Sequence, residues 1–255
     1  MMLPKNQFKA AIAEGRQQLG LWTSLPGPVV AEALAGLGYD WMLLDCEHSL
    51  TDVPDVLGML QAIAPYPVQA VVRPADNDPI EIKRLLDFGA QTLLIPYVQT
   101  ATEAARAVAA MRYAPRGFRG MGMMTRATRY GAISDYAQLA EAELCLLVQV
   151  ETHDALGRIE EIAAVDGVHG LFIGPADLSA TMGYPGQINH PDVVAAIEDG
   201  LRRIVATGKA AGILTGDPAL ARACIGWGTT FTAIGADLSL LVAAARGLVQ
   251  GFRAG

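Results

Sequence analysis

Short apolar runs alternate with longer amphipathic segments along almost the whole chain. The runs have the length of buried strands, and the segments between them repeat their apolar positions with a helical period. Repeated strand and helix units of this kind build a parallel sheet. We predict eight strands, at residues 19–24, 41–46, 68–73, 92–96, 145–151, 169–173, 211–215 and 230–234. The predicted helices include residues 28–37, 79–88, 102–111, 191–206, 218–226 and 238–252.

Eight such units in a chain of 255 residues favour closure into one (β/α)8 barrel, also called a TIM barrel. No linker or change of composition divides the chain, so we predict a single α/β domain over residues 1–255. An open, doubly wound sheet is the alternative. It fits less well because Leu25-Pro26-Gly27-Pro28, after the first strand, lacks the further glycines of a dinucleotide-binding turn.

Two segments depart from this rhythm. Residues 112–143 form a long connection rich in glycine and arginine, and loops of that length in a compact domain are usually functional lids or contact loops. The C-terminal helix is strongly apolar, and 52% of the whole chain is hydrophobic. Buried parallel strands and an interface between subunits account for such an excess, so we expect this helix to take part in subunit contacts.

The formal net charge is −7, and the chain contains no block of basic residues. This argues against nucleic acid and anionic membranes as partners and favours a small molecule. No apolar run is long enough to span a bilayer, and the N-terminus lacks the apolar stretch of a secretory signal. The three cysteines, Cys46, Cys145 and Cys224, are scattered in apolar surroundings, which indicates reduced core cysteines in a cytoplasmic protein.

The strand at residues 145–151 carries two polar residues on one face. Side chains alternate along a strand, so Gln149 and Glu151 point the same way, towards the mouth of the predicted barrel. Asp177 follows the next strand, and two carboxylates at adjacent strand ends suit Mg²⁺ or Mn²⁺. Taken singly, Glu151 could be a capping or salt-bridged residue, and Asp177 could be the N-cap of a short helix.

His48 and Arg73 end two other strands. His48 has the acidic neighbours Asp45 and Glu47, and an imidazole paired with a carboxylate is a base tuned near neutral pH. Arg73 is kept extended by Pro74 and could be a fixed cation for a carboxylate or enolate oxygen, or a solvated strand-end arginine. No lysine lies where a Schiff base would form, so carbonyl chemistry in this barrel would need a metal.

Five motifs now lie in order along the chain: Leu21-Trp22, Leu44-Asp45-Cys46-Glu47-His48, Val72-Arg73-Pro74, Val148-Gln149-Val150-Glu151-Thr152 and Gly174-Pro175-Ala176-Asp177-Leu178-Ser179. Together they resemble the HpcH/HpaI class II pyruvate aldolases over essentially the whole chain. The resemblance implies a barrel of the phosphoenolpyruvate/pyruvate type that reversibly cleaves 4-hydroxy-2-oxo acids to pyruvate and an aldehyde. It also implies a divalent metal, for which Mg²⁺ is expected first and Mn²⁺ or Co²⁺ are the alternatives.

The resemblance implies a role for each matching residue. The implied roles are metal binding for Glu151 and Asp177, substrate binding for Gln149, Ala176, Leu214 and Trp22, and catalysis for His48, Asp45 and Arg73. Within this picture, His48 is the catalytic base and Arg73 stabilises enolate charge.

Two further matches concern other parts of the chain. The family supports its histidine with an acid that matches Asp87, which lies before the fourth strand, at the opposite end of the predicted barrel. We therefore infer that a neighbouring subunit supplies Asp87, in a homo-oligomer that is a hexamer in the family. Arg126 resembles the arginine of the family's active-site loop and is expected near the far end of the aldehyde, with a solvated loop position as the alternative.

Two other functions stay open on the sequence. A CoA-ester lyase of the citrate-lyase type would share the barrel and the metal carboxylates, although such relatives are generally longer and the chain shows no obvious basic CoA patch. A barrel that binds an oxo acid as a sensor would not need a base such as His48. The identity of the aldehyde is not specified by the sequence, because pocket-forming loops determine it.

Overall fold

The computed structural model describes residues 1–253 and contains a closed barrel of eight parallel strands. Each strand pairs with its neighbours in chain order, and the last pairs with the first. The strands are β1 (Gln18–Thr23), β2 (Trp41–Asp45), β3 (Gln69–Arg73), β4 (Thr92–Ile95), β5 (Cys145–Val150), β6 (Val168–Ile173), β7 (Ala210–Leu214) and β8 (Phe231–Ala236). The predicted barrel is confirmed, and the open sheet is wrong because β1 and β8 are hydrogen-bonded neighbours.

Helices separate the strands in the alternation that the sequence predicts. Within the described residues they are α1 (Gln7–Ala13), α2 (Pro28–Ala35), α3 (Val53–Ile63), α4 (Pro79–Asp87), α5 (Ala101–Met111), α6 (Tyr136–Glu143), α7 (His153–Leu156), α8 (Ile159–Ala163), α9 (Pro175–Thr181), α10 (Pro191–Ala206), α11 (Pro218–Gly226) and α12 (Asp237–Arg253). Five of them begin at a proline, whose fixed φ suits the first helical turn and whose missing donor is not needed there. The 112–143 connection is not wholly a loop, because buried Tyr136 and Ala140 anchor α6 at its end.

The barrel is packed shut at the amino-terminal ends of its strands, an end that we call the floor. Phe8 of α1 inserts there, with its ring centroid 5.8 Å from those of Trp41 and Phe231. These two large rings fill the space that side chains at Gly20 and Gly212 would occupy, so both strand positions require glycine. Chemistry is therefore left to the carboxyl-terminal ends of the strands, which we call the mouth.

Side chains of β5 alternate as the sequence predicts. Cys145 and Leu147 belong to the interior core, whereas Leu146 and Val148 pack outwards against the helices. Gln149 continues the inward row, and Glu151 follows directly after the strand. All three cysteines are buried free thiols, and burial raises the pKa of each to about 12.

The last helix does not cover the barrel of its own chain. In α12 only Asp237 is buried, and every described residue after it is exposed, although many of them are apolar. The outer face beside α12 is also uncovered, since Leu19 of β1 and Ile234 of β8 are 37% and 38% exposed. No helix within residues 1–253 is both long and apolar enough to cross a membrane.

Candidate active site

A buried ion pair joins the ends of β2 and β3 at the mouth. Asp45 and Arg73 are the last residues of these strands and are paired in register. The guanidinium of Arg73 donates from Nε and NH2 to the two carboxylate oxygens of Asp45, at 2.9 and 2.8 Å. Burial alone would raise the pKa of Asp45, but the hydrogen bonds and charge of Arg73 outweigh it and hold that pKa below its usual range. The pair therefore stays ionised, and Arg73 is fixed in one orientation.

The remaining face of Arg73 points at other mouth residues. Its NH1 nitrogen lies 2.5 Å from Oε2 of Glu47 and 3.5 Å from Oε1 of Gln149. The guanidinium also lies over the Trp22 ring, 4.7 Å from its centroid, and the Trp22 indole nitrogen donates to Asp45 at 3.1 Å. Since Arg73 is only 5% exposed, the alternative of a solvated strand-end arginine is wrong.

Glu151 is a deeply buried carboxylate of the mouth, at 1% exposure like Asp45. One of its oxygens accepts a hydrogen bond from the backbone nitrogen of Tyr97 at 2.7 Å, and the other accepts one from the amide of Gln149. Burial, together with the negative charges of Glu47 and Asp177, raises the pKa of Glu151 to about 7. The carboxylate is neither a helix cap nor part of a salt bridge in the described chain.

Asp177 lies in the first turn of α9, close to Glu151. The N-cap of α9 is Gly174 rather than Asp177, so the capping alternative is wrong. A side chain at Gly174 would come within 2.5 Å of Oε2 of Glu151, so glycine keeps the approach to this carboxylate clear. Ala176 precedes Asp177 in the same turn and is exposed at the mouth.

His48 lies in the turn after β2, with 67% of its side chain exposed. Of its two acidic neighbours, Glu47 is the one that approaches the imidazole, with Oε1 at 3.6 Å from Nε2. Asp45 is instead occupied by Arg73 and Trp22 and meets His48 only at its backbone nitrogen, at 3.5 Å. Within one chain, Asp45 therefore positions Arg73 and does not orient the imidazole.

Two predicted site residues lie away from the mouth of their own chain. Asp87 ends α4 and pairs with Arg119, whose NH2 donates to Oδ1 at 2.8 Å. Arg126 is half-buried and donates to the carbonyl oxygens of Phe88 and Leu60, at 2.8 and 3.3 Å. The expected aldehyde contact of Arg126 is therefore not made in its own subunit, and the solvated alternative is wrong because two carbonyls hold the side chain.

Three residues at the mouth were not assigned a role from the sequence. Glu47 contacts both Arg73 and His48, and Tyr97 supplies the backbone donor to Glu151. Tyr97 adopts the left-handed region with φ 52°, which is uncommon for a residue with a side chain. The only sequence signal for it was its place directly after the Ile95-Pro96 strand end, whereas Gly174 carried the signal of a glycine before a helix.

Comparison with known proteins identifies the family. The profile of the HpcH/HpaI aldolase/citrate lyase family matches residues 18–244. The chain belongs to this family. It is 56% identical over 252 residues to a pyruvate aldolase of Rhizobium etli, with 99% of each chain covered. It is 53% identical over 249 residues to a 4-hydroxy-2-oxo-heptane-1,7-dioate aldolase of Salmonella typhimurium, covering 97% of this chain and 95% of the other.

A solved structure extends this likeness to three dimensions. An HpcH/HpaI aldolase/citrate lyase family protein of Burkholderia cenocepacia superimposes with a TM-score of 0.94 at 41% identity, covering 98% of this chain and all of the other. As an HpcH/HpaI aldolase, the chain is a carbon–carbon lyase, which confirms the predicted enzyme class. Members of this family generally depend on a divalent metal.

The chemistry of the mouth fits a divalent cation. The negative charges of Glu47, Glu151 and Asp177 act on one another, and the single guanidinium of Arg73 is shared between Asp45 and Glu47. Oε2 of Glu47 is buried and receives no well-aligned hydrogen bond despite its closeness to Arg73. No group of three or more His, Cys, Asp or Glu side chains within residues 1–253 is arranged so that it could hold a metal ion by itself. A divalent cation held by Glu151 and Asp177 would take its other ligands from water and substrate.

Proposed function

We propose that this chain is a metal-dependent aldolase that reversibly cleaves 4-hydroxy-2-oxo acids to pyruvate and an aldehyde. The observation that carries the proposal is the fixed Arg73 cation beside the buried carboxylate of Glu151, at the open end of the barrel. The pyruvate aldolase and the heptanedioate aldolase among its relatives support the same reaction.

Glu151 and Asp177 are the residues that would hold the metal, for which we propose Mg²⁺, with Mn²⁺ and Co²⁺ as alternatives. A bound divalent cation supplies Lewis-acid polarisation of the oxo acid's oxygens. Gln149 links this part of the site to Arg73, because its amide donates to Glu151 and its carbonyl oxygen faces NH1 of Arg73. The carboxylate of Glu151 and the guanidinium of Arg73 are thus held at a fixed distance from each other before substrate binds.

Arg73 acts on the charge that develops when the carbon–carbon bond breaks. Its guanidinium is locked by Asp45 and stacked on Trp22, so it donates to a developing enolate oxygen without reorganising. Trp22 is buried and Leu214 is half-buried at the end of β7, and these apolar side chains exclude water from one side of the pocket. Ala176 offers its backbone to the substrate at the start of α9.

His48 is the proposed base that moves a proton to or from the hydroxyl group at the reacting bond. Among the described residues, Glu47 is the carboxylate that approaches the imidazole, and the side chain of His48 is largely exposed. We propose that Asp87 of a neighbouring subunit completes this base, because Asp87 in its own subunit lies at the far end of α4. Arg119 holds Asp87 in place through a charged hydrogen bond.

The outer surface of the chain supports a homo-oligomer. Leu241, Leu248 and Phe252 of α12 are 57%, 67% and 89% exposed, a large apolar surface for a helix that faces water. The β1 and β8 face, where a barrel normally carries its closing helix, is uncovered in the same chain. The exposed apolar helix α12 of one copy can therefore cover the exposed β1 and β8 face of another copy.

Pyruvate release from 4-hydroxy-2-oxo acids of different chain length tests the proposed reaction. We expect release that EDTA abolishes and Mg²⁺ restores. We also expect the pyruvate methyl protons to exchange in D₂O when Mg²⁺ is present, which a protein that only binds oxo acids would not catalyse. Cleavage of acyl-CoA substrates in place of free oxo acids, or turnover unaffected by EDTA, would contradict the proposal.

Mixing two inactive variants tests whether the site is shared between subunits. We expect His48→Asn and Asp87→Asn each to be nearly inactive alone. Mixed oligomers of the two should regain about a quarter of wild-type activity, because some sites then combine an intact His48 with an intact Asp87 from another chain. A mixture that stays inactive after verified subunit exchange would show that both residues act within one chain or that Asp87 has no such role.

A further inference from the structure

A second cavity lies beside the floor, away from the mouth. It has a volume of about 320 Å³ and lies between α5, the end of α6 and the starts of β6 and β7. Its apolar wall includes Val108, Met111 and Leu146. Lys9, His169 and Lys209 also line it, each from a different element. Cationic and donor groups of the chain therefore converge on a space that the proposed catalytic residues do not use.

His169 is turned into this cavity by an irregularity of the sheet. The register between β5 and β6 shifts from Leu146↔Val168 to Leu147↔Gly170, so His169 has no partner residue on β5. The backbone nitrogen of Leu146 donates to Nδ1 of His169 instead, at 3.1 Å. Nδ1 is thereby committed as an acceptor, and the neutral ring carries its proton on Nε2 as a donor. Bulges of this kind commonly aim a side chain at a functional place.

The two lysines of the cavity are held by backbone groups and not by acids. Nζ of Lys9 donates to the carbonyls of Glu141 and Ala142, at 3.4 and 2.8 Å. Nζ of Lys209 donates to the carbonyl of Val168 at 2.7 Å. Neither lysine has a carboxylate within 4.0 Å among the described residues, as the ion pairs of this part of the chain show. Within the described chain, both ammonium groups therefore donate to backbone carbonyls and not to carboxylates.

Two acids, Glu141 and Asp166, also line the cavity, together with Arg112, and both acids are already paired. Arg112 pairs with Glu141 and Asp166, at 2.8 and 2.9 Å, and Arg116 reaches the same two carboxylates. The other acid near Lys9 is Glu143, which pairs with Lys5 at 2.6 Å. Two arginines balance two carboxylates, so the charges of Lys9 and Lys209 remain without a counterion.

One titration property agrees with the positive charges in this place. Burial, together with the charges of Lys9 and Lys209, lowers the pKa of His169 to about 4. A bound anion would raise that pKa, because its charge opposes those of the two lysines.

We infer that this cavity is a binding site for a small dicarboxylate. Two lysines without counterions match two negative charges, and the Nε2 proton of His169 is a further donor. The apolar wall matches the short carbon chain between the two carboxylates. The inference does not rest on the proposed catalytic function, since no residue of the mouth lines the cavity.

Calorimetric titration of the Mg²⁺-loaded full-length protein with succinate tests the site. Saturating pyruvate is present throughout, so that the mouth is occupied. We expect one succinate per chain, and binding of butyrate, which has the same carbon count and one charge fewer, about tenfold weaker or more. Absence of saturable succinate binding, or equal affinities for the two acids, overturns the inference.

Variants locate the binding. Lys209→Met and Lys9→Met should each weaken succinate binding about tenfold or more, whereas Lys209→Arg keeps the charge and should stay close to wild type. Lys83→Met, a matched loss of a lysine outside the cavity, should bind as the wild type does. Unchanged affinity in either of the two cavity lysine variants, or loss of binding in Glu151→Gln but not in Lys9→Met, would overturn the assignment. Melting temperatures confirm that each variant is folded, and Lys9→Met suffices if Lys209→Met does not fold.

Discussion

The two ends of the barrel gather charged side chains of opposite sign. At the mouth, Glu47, Glu151 and Asp177 share a space in which Arg73 is already paired with Asp45. Beside the floor, Lys9 and Lys209 line a cavity without a carboxylate partner among the described residues. The mouth therefore lacks a cation to balance its carboxylates, and the floor lacks an anion to balance its lysines.

The difference lies in how the charged groups are held. Mouth residues occupy the last positions of strands or the turns that follow, and they bind one another side chain to side chain. The floor lysines lie before a strand or on α1, and they are bound by backbone carbonyls. Side-chain pairs at strand ends fix geometry, which catalysis requires, whereas carbonyl-held lysines supply charge with less orientation.

The largest effect that separates the two ends is expected from Glu151→Gln. Loss of the buried carboxylate should lower kcat/KM for pyruvate release at least about 10³-fold and abolish the response to Mg²⁺. The melting temperature of the metal-free variant should change only a little, because relief of the buried charge offsets the loss of one of the two acceptor oxygens that Tyr97 and Gln149 use. Steady-state kinetics and thermal unfolding measure the two outcomes.

Lys209→Met is the matched change at the other end of the barrel. It should leave kcat/KM within about twofold of wild type, since Lys209 lies before β7, at the opposite end of that strand from the mouth, and its ammonium group donates to the carbonyl of Val168. Full Mg²⁺-dependent activity in Glu151→Gln would show that the carboxylates at the mouth do not define a metal site.

Much of the barrel follows from the sequence, because a strand buried on both faces must be an apolar run of limited length. Arg73 and Glu151 were also predictable, since a polar residue that ends such a run must lie at the mouth. The pairing of Arg73 with Asp45 was not, because it depends on the register between β2 and β3, which neither strand encodes alone.

The place of Arg126 was not predictable for a related reason. It depends on how the long loop folds back onto α3 and α4, where two backbone carbonyls bind its guanidinium. The apolar pattern of α12 is the same whether the helix covers its own barrel or another, so the expected subunit contacts of this helix stay a prediction.

A smaller effect is expected from Arg73→Lys, which tests whether fixed geometry matters at the mouth. Lysine keeps the charge but loses the two parallel hydrogen bonds to Asp45 and the stacking on Trp22. We expect kcat to fall about 10²-fold, with a smaller change in KM. Arg203→Lys is the control, because Arg203 makes the same bidentate contact with Glu160 at the surface, at 2.8 and 2.6 Å. Equal, small effects of both changes would show that only the charge of Arg73 counts.

The smallest expected effect concerns acid stability at the floor. The pKa of His169 is lowered to about 4 in the folded chain, by burial and by its lysine neighbours, while the unfolded chain titrates near 6.5. Between these values the unfolded state binds a proton that the folded state does not. The free energy of unfolding therefore falls as the pH is lowered from about 6.5 towards 4, by at most about 3 kcal/mol.

His169→Asn keeps an acceptor for the backbone nitrogen of Leu146 but cannot take up this proton. Its unfolding free energy should depend less steeply on pH in the same window, while His153→Gln, a change at an exposed histidine, should keep the wild-type slope. Denaturant titrations at pH 4.5 and 7.5 compare the three proteins. Added succinate should flatten the wild-type slope as well, because an anion beside Lys9 and Lys209 raises the pKa of His169 towards its unfolded value. If succinate leaves the pH dependence of the wild-type unfolding free energy unchanged, no anion binds close enough to Lys9 and Lys209 to affect His169. That result would contradict the proposed anion site.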